Sequence, residues 1–209
     1  MQNFNAKEIR RISEGLPPWE SMSFACGGWL QFYMFGVAKA LQDCKLTKGV
    51  TYVGCSAGAL TAVGLTLDGE FDKAITYCNE VCLPKAYGRY TGLFRLSEYV
   101  TGCMKLYLLD KFEENSPLPE GQLQIAITRL PFFTPERVLV HESKEELMKS
   151  LLASAAAFPF SSLVKKKGNW YIDGGLSDFQ PIVDADTITV SPFYFSDCDI
   201  KPRYSFRNL

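Results

Sequence analysis

The stretch VTYVGCSAGALTAVGL, residues 50–65, contains an apolar strand, a glycine-rich turn and an apolar helix in immediate succession. Residues 50–53 are all β-branched or aromatic and none is charged. Gly54 ends this strand pattern. Residues 59–67 are mostly small and apolar, which favours a buried helix. A strand that turns directly into a helix is the repeating unit of α/β proteins, so this stretch predicts the fold class.

A second unit of the same kind precedes it. Residues 22–25 form a short apolar strand, Cys26-Gly27-Gly28 a turn, and residues 30–41 a helix. Further strands are predicted at 123–128, 170–172 and 187–190, and Ser143 with Glu146 forms a capping box that begins a helix. Because strand–turn–helix units in series imply parallel strands, we expect one α/β domain with a mostly parallel sheet between helices.

Composition excludes several classes of protein. The 209 residues are 47% apolar and 22% charged, which is typical of a globular chain. The net charge of −1 gives no field that would attract nucleic acid, so we expect no nucleic-acid partner. Seven cysteines in an odd count, with no paired spacing and only one histidine, argue against a disulfide scaffold and a metal site. The first twenty residues lack the apolar core of a secretory signal, and with reduced cysteines this predicts a cytoplasmic protein.

The turn Gly54-Cys55-Ser56-Ala57-Gly58 has the G-x-S-x-G pattern of a nucleophile elbow. Such an elbow projects one serine hydroxyl from the top of a sheet, and its flanking positions must be small. The helix that follows also directs its free N–H groups toward the serine, which favours a developing oxyanion. We therefore predict that Ser56 is a catalytic nucleophile rather than a serine in an incidental glycine-rich turn.

The candidate base for Ser56 is a carboxylate. His141 ends a predicted strand with nothing around it that marks a catalytic loop, so we interpret it as a surface or edge histidine. Asp173 follows the apolar strand 170–172 and begins a double-glycine turn. A carboxylate at a strand end can act directly as general base for a serine, although Asp-Gly-Gly alone is also an ordinary turn.

The turn Cys26-Gly27-Gly28 admits two interpretations. Its glycines allow backbone N–H groups to face a substrate carbonyl and form an oxyanion hole. Such a turn can also hold a dinucleotide phosphate, but the G-x-G-x-x-G pattern is incomplete and no acidic residue ends the second strand. A nucleotide-binding α/β module remains the minor alternative.

Taken together, these turns resemble the patatin-like phospholipase family, most closely its animal-type branch that includes adipose triglyceride lipase and adiponutrin. The resemblance covers nearly the whole chain. It is carried by Ser23–Leu30, Gly36-Val37, Gly54–Leu60, Ser143–Leu147, Asp173–Asp178, Pro181, Ile188–Phe193 and Arg207–Leu209.

The resemblance implies a patatin-like three-layer α/β/α sandwich over residues 21–209, with 1–20 as an N-terminal extension. It implies a catalytic dyad of Ser56 and Asp173, and an oxyanion hole at Gly27 and Gly28. It also implies hydrolysis of acylglycerols or phospholipids without a metal or cofactor, at a lipid-droplet or membrane surface, with a protein co-activator as a further partner.

Two departures from the family pattern leave a second interpretation open. Cys26 and Gln31 replace the first and last glycines of the oxyanion loop. Cys26 introduces a Cβ at a position where we expect a positive φ, which would strain the loop. The alternative is therefore a catalytically weak or silent lipid-binding or regulatory protein.

Overall fold

The computed structural model describes residues 5–88, 90–109, 111–112 and 118–203. The segment Arg207–Leu209, which contributes to the resemblance, lies outside the described residues. The α-helices are α1 (Ala6–Ser13), α2 (Gln31–Asp43), α3 (Ala57–Thr66), α4 (Phe71–Tyr77), α5 (Leu83–Tyr87), α6 (Leu96–Cys103) and α7 (Lys144–Ser154). The strands are β1 (Ser21–Phe24), β2 (Thr51–Cys55), β3 (Leu123–Arg129), β4 (Thr134–Val138), β5 (Val164–Lys166), β6 (Asn169–Ile172) and β7 (Ile188–Val190).

The strands form one sheet in the order β5-β6-β3-β2-β1-β7, and β4 pairs with β3 outside this path. The central strands β7, β1, β2 and β3 are parallel, whereas β4, β5 and β6 are joined by antiparallel pairs. The predicted α/β class, with one domain and a parallel centre to its sheet, is confirmed.

The ends of β2 and β6 meet along one edge of β3. Cys55, the last residue of β2, pairs with Ala126 of β3, and Ile172, the last residue of β6, pairs with Thr128 only two residues further on. Because β4 occupies the other edge of β3 at both positions, β2 and β6 approach each other head-on. The residues that follow these two strands are therefore brought together.

The helices bury one face of the sheet. An ideal Cβ at Gly54 would lie 2.3 Å from the carbonyl oxygen of Gly58, so Gly54 faces α3. Helix α3 is apolar on all sides and buried from Ala57 to Leu65, as expected of a helix surrounded by other elements. The side chains packed between sheet and helices include Met22, Phe24, Tyr52, Leu123, Ile125, Leu60, Val63, Leu147 and Leu151.

The opposite face of the sheet is covered by residues 177–187. Side chains alternate along a strand, so Cys55, next to Gly54, points away from α3, and its thiol donates to the carbonyl of Phe179 at 3.2 Å. On β1, the Ser23 hydroxyl accepts from Gln180 at 2.6 Å. The sheet is thus the middle of three layers. Phe179 and Gln180, which follow Asp173 in the chain, are fixed to the sheet by these two bonds.

Helix α1 precedes β1 and begins at a capping box between Asn5 and Glu8. Arg11 fixes this helix to the domain, because its guanidinium donates to the carbonyls of Pro17 at 2.8 Å and Gly49 at 2.9 Å. Among the described residues, every helix falls short of the length and apolar character needed to cross a membrane.

Candidate active site

Ser56 occupies a sharp turn between β2 and α3 with φ 52° and ψ −123°. A positive φ is unusual for a residue with a side chain and marks local strain. The turn is tight because backbone lies against backbone: an ideal Cβ at Gly58 would lie 2.1 Å from the carbonyl oxygen of Phe24. Glycines at 54 and 58 are therefore sterically required, and Ser56 has the geometry of a nucleophile elbow.

A serine of α7 supports this turn. The hydroxyl of Ser154 accepts a hydrogen bond from the backbone N–H of Ser56 at 2.8 Å and donates to the carbonyl of Ala126 at 2.7 Å. Ser154 is fully buried. It therefore links the strained turn to the neighbouring strand β3.

Asp173 lies beside Ser56 because β2 and β6 meet head-on. The Ser56 hydroxyl donates to Asp173 Oδ2 at 2.7 Å, and the N–H of Gly175 donates to Asp173 Oδ1 at 2.8 Å. Both Ser56 and Asp173 are 7% exposed. Burial raises the pKa of Asp173 above that of an ordinary aspartate, while the bonds from Ser56 and Gly175 oppose this rise.

The loop Cys26-Gly27-Gly28 lies next to this pair. Within the described part of the chain, the N–H groups of Gly27 and Gly28 make no hydrogen bond to another backbone group, and that of Gly27 interacts with the neighbouring Cys26 thiol. Gly28 has φ +51° and lines the same cavity as Ser56. The N–H of Ala57, at the start of α3, likewise makes no hydrogen bond to another backbone group of the described residues.

The expected strain at Cys26 is wrong. Positive φ occurs at Gly28 and not at Cys26, whose N–H donates to the carbonyl of Phe179 at 2.9 Å. An ideal Cβ at Gly175 would lie 2.8 Å from Cys26 Sγ, so the thiol packs against the backbone that follows Asp173. The side chain of Cys26 therefore fills space at the site. The one position of this loop with a positive φ is occupied by a glycine, Gly28.

An apolar cavity of about 250 Å³ opens beside Ser56. Its wall contains side chains from α3, α6 and the π-helical segment Cys78–Cys82. The residues that line it are Gly28, Trp29, Gln31, Ser56, Ala57, Leu60, Cys78, Cys82, Leu93, Leu96, Tyr99, Val100, Cys103, Ala155, Ala157 and Phe160. This wall includes no lysine or arginine, so it offers no cation to a nucleotide phosphate and suits a hydrocarbon chain.

His141 lies apart from this site. Its Nε2 bonds the carbonyl of Leu123 at 2.9 Å, at the start of β3. Leu123 pairs with Tyr52, four residues before Ser56, which is about 13 Å along the strand. The expectation of a surface or edge histidine is wrong, since His141 is 2% exposed, and burial lowers the pKa of its imidazole.

The structure brings together the four residues predicted for the site: Ser56, Asp173, Gly27 and Gly28. Sequence reasoning missed Ser154, which belongs to a helix with no pattern that distinguishes one serine from another. In the sequence, Gln31 is visible only as a departure from the family pattern, and nothing indicates that it lies in the cavity wall. The described residues contain no group of histidine, cysteine and acidic side chains that could hold a metal ion, and their cysteines are free.

These features define the class of α/β proteins that are built around a nucleophile elbow. The sheet is mostly parallel, and a serine in a strained strand-to-helix turn is hydrogen-bonded to an aspartate. The chain belongs to the patatin-like phospholipase family, whose sequence model matches residues 22–186. In the solved structure of VipD from Legionella pneumophila, a similar fold covers 87% of this chain and 51% of that one, with a TM-score of 0.50. At 16% identity, this likeness supports the fold alone.

Curated relatives agree with the predicted branch of the family. The mouse protein named 1-acylglycerol-3-phosphate O-acyltransferase Pnpla3 is 34% identical over 198 residues, which cover 90% of this chain and 47% of that protein. Patatin-like phospholipase domain-containing protein 2 of Bos taurus is 33% identical, over 90% of this chain and 40% of its own length. The mouse omega-hydroxyceramide transacylase is 32% identical over 192 residues, which cover 88% of this chain and 31% of that protein. The chain thus spans less than half the length of these relatives.

Proposed function

We propose that this chain is a lipid acyl-ester hydrolase in which Ser56 attacks the ester and Asp173 accepts its proton. The observation that carries the proposal is the 2.7 Å hydrogen bond from Ser56 Oγ to Asp173 Oδ2 beside an apolar cavity. A hydroxyl within hydrogen-bond reach of a carboxylate has its base in position, and the raised pKa of Asp173 makes that carboxylate a stronger base.

The first half of the reaction forms an acyl-enzyme. Ser56 Oγ bonds to the carbonyl carbon as its proton passes to Asp173, and the carbonyl electron pair moves to oxygen. We propose the N–H groups of Gly27, Gly28 and Ala57, which make no hydrogen bond to another backbone group of the described residues, as the donors to this oxyanion. When the intermediate collapses, the carbon–oxygen bond to the alcohol breaks and the alcohol leaves with the proton from Asp173.

The second half releases the acid. A water molecule gives its proton to Asp173 and attacks the acyl carbon, and the new intermediate collapses with Ser56 as leaving group. The proton on Asp173 returns to Ser56 Oγ, so the resting state is restored. The same carboxylate acts as base and then as acid in each half, because it first accepts the proton of the attacking group and then returns it to the leaving group.

We propose acylglycerols or phospholipids as substrates, with the acyl chain in the apolar cavity. Methylene groups transferred from water to this wall contribute about 0.8 kcal/mol each. Leu60 and Val100 are buried wall residues, and Phe160 contributes an aromatic ring.

We further propose that the protein acts in the cytoplasm at the surface of lipid droplets or membranes. Exposed apolar side chains adjoin the site: Phe158 is 65% and Leu176 60% exposed, and the ring of Phe94 lies 5.8 Å from that of Phe160 in the cavity wall. With a net charge near zero, attachment would be apolar rather than electrostatic. Replacing Phe158 and Leu176 by Asn should weaken flotation with lipid emulsions; unchanged flotation would contradict this part. The expected co-activator stays a prediction.

Acyl transfer is the second candidate, and two relatives favour it, because one is named an O-acyltransferase and the other a transacylase. An acyl-enzyme on Ser56 passes its acyl group to an alcohol by the same steps in which water releases it. Product analysis with and without added lysophosphatidic acid or diacylglycerol distinguishes the two outcomes, because transfer gives a new ester and hydrolysis a free acid.

The decisive experiment is labelling with a fluorophosphonate probe, followed by peptide mapping and a nitrophenyl ester assay. We expect the wild-type protein to be labelled at Ser56. Ser56→Ala should lose the label and at least about a thousandfold in turnover, because the attacking atom is removed. Asp173→Asn retains the Ser56 hydroxyl but removes its base, so both the labelling of Ser56 and the turnover should fall strongly.

Ser13→Ala is the matched control, because Ser13 is an exposed serine of α1 whose hydroxyl donates to the carbonyl of Arg10 in the same helix. It should keep label and turnover. A folded wild-type protein that neither takes the label nor hydrolyses the ester would contradict the proposal and favour a catalytically silent lipid-binding protein.

A further inference from the structure

Gln31 is a polar residue in the wall of an otherwise apolar cavity. It is the first residue of α2, directly after the segment Gly28–Leu30, and Gly28 and Ser56 line the same cavity. Gln31 is only 8% exposed, so more than nine-tenths of it is withdrawn from solvent. Its amide is therefore buried at the place where a hydrocarbon chain is expected.

The amide of Gln31 lacks adequate partners. Its Nε2 donates to the thiol sulfur of Cys78 at 3.5 Å, and the described residues supply no donor to its Oε1. That thiol is a weak acceptor, since a hydrogen bond with Cys103 raises the pKa of Cys78 to about 12 and keeps it neutral. An amide that lines a cavity and makes only one weak hydrogen bond is available to pair with a polar group of a ligand.

The chemistry of the wall restricts that polar group. The described residues that line the cavity include no charged side chain. An ionic group of a ligand would therefore be desolvated there without a counter-charge. A hydroxyl is uncharged, small, and both donates and accepts, so it matches the amide in either orientation. The surrounding wall of Leu60, Leu96 and Val100 still requires that the rest of the ligand be hydrocarbon.

We propose that Gln31 selects acyl chains that carry a hydroxyl group. This inference rests on the proposed hydrolase and deepens it: the substrates are esters of hydroxylated fatty acids, and Gln31 is the residue that recognises the hydroxyl. An unsubstituted chain leaves the amide with only the Cys78 thiol as partner, whereas a hydroxylated chain adds a strong hydrogen bond.

The test uses nitrophenyl esters of one straight-chain acid and of its positional hydroxy isomers. In the wild-type protein, at least one isomer should exceed the unsubstituted ester in kcat/KM. In Gln31→Met, which keeps the length of the side chain but not its amide, the ratio for that isomer should fall about tenfold, the value of one good hydrogen bond. Gln31→Leu replaces this variant if methionine prevents folding.

Gln42→Met is the matched control, since Gln42 is on the same helix but bonds Asp68 and Gly69 away from the cavity. Its ratios should equal those of the wild type. Ratios that differ less than about threefold between wild type and Gln31→Met, for every isomer, would overturn the proposal and indicate an amide solvated by water.

A binding measurement separates this inference from the proposed function. The free hydroxy acid should raise the melting temperature of the wild-type protein more than the unsubstituted acid does, and this difference should vanish in Gln31→Met. If no ester is hydrolysed but the difference is present, the hydrolase proposal fails and recognition of the hydroxyl by Gln31 stands. If the esters are hydrolysed without discrimination and the acids bind alike, only the inference about Gln31 fails.

Discussion

Ser154→Ala tests whether α7 holds the nucleophile turn in place. The substitution removes the hydroxyl that accepts from the N–H of Ser56 at 2.8 Å and donates to the carbonyl of Ala126 at 2.7 Å. Both bonds are buried, and the Ser56 N–H has no other partner among the described residues. The variant therefore leaves a buried donor unpaired beside a residue with strained backbone angles.

The expected loss of stability follows from these two bonds. An unpaired buried N–H costs about 1–3 kcal/mol, and loss of a donor to Ala126 adds about 1 kcal/mol. The free energy of unfolding should fall by about 2–4 kcal/mol, or roughly 5–15 °C in melting temperature for a domain of this size. Relaxation of Ser56 from its strained angles should also lower kcat about tenfold to a hundredfold, since 1.4 kcal/mol of barrier corresponds to a factor of ten.

Ser150→Ala provides the control on the same helix. Ser150 is also buried, but its hydroxyl donates at 2.8 Å to the carbonyl of Glu146 within α7 and has no link to the site. Denaturant unfolding and nitrophenyl ester turnover should show a change below about 1 kcal/mol for Ser150→Ala and normal turnover. If Ser154→Ala matches Ser150→Ala in both measurements, the link through Ser154 does not hold the turn and the reasoning is refuted.

Three further predictions concern Asp173 and His141. Burial raises the pKa of Asp173, and the base must be ionised, so kcat/KM should fall with decreasing pH at a higher pH than for an ordinary aspartate; an acid limb at or below the usual range would contradict this. Because the folded pKa exceeds the unfolded one, Asp173 makes the free energy of unfolding decrease as pH rises between the two values, and Asp173→Asn should remove that slope in denaturant titrations. His141→Ala should change turnover less than about tenfold while lowering the melting temperature, because the imidazole is buried and bonds Leu123; a loss as deep as that of Ser56→Ala would identify a histidine base.

The order of strands, turns and helices was predictable because each depends on local sequence. The glycines at 54 and 58 indicate a turn too tight for side chains, and the structure shows backbone within 2.3 Å of the position of either Cβ. The start of α7 was predictable for the same reason: the Ser143 hydroxyl accepts from the N–H of Glu146, three residues away. Both features are decided within a few residues of the chain.

The remaining features depend on contacts between distant segments. Asp173 reaches Ser56, 117 positions away, only because β6 runs antiparallel into the end of β2 along one edge of β3. The thiol of Cys26 is tolerated because Gly175, from the loop after β6, leaves room for it. A family pattern records a glycine at such a position, but it does not record which neighbour would fill the space. The consequence of a departure from the pattern is therefore decided by the partner segment, and for Gln31 that partner is the cavity itself.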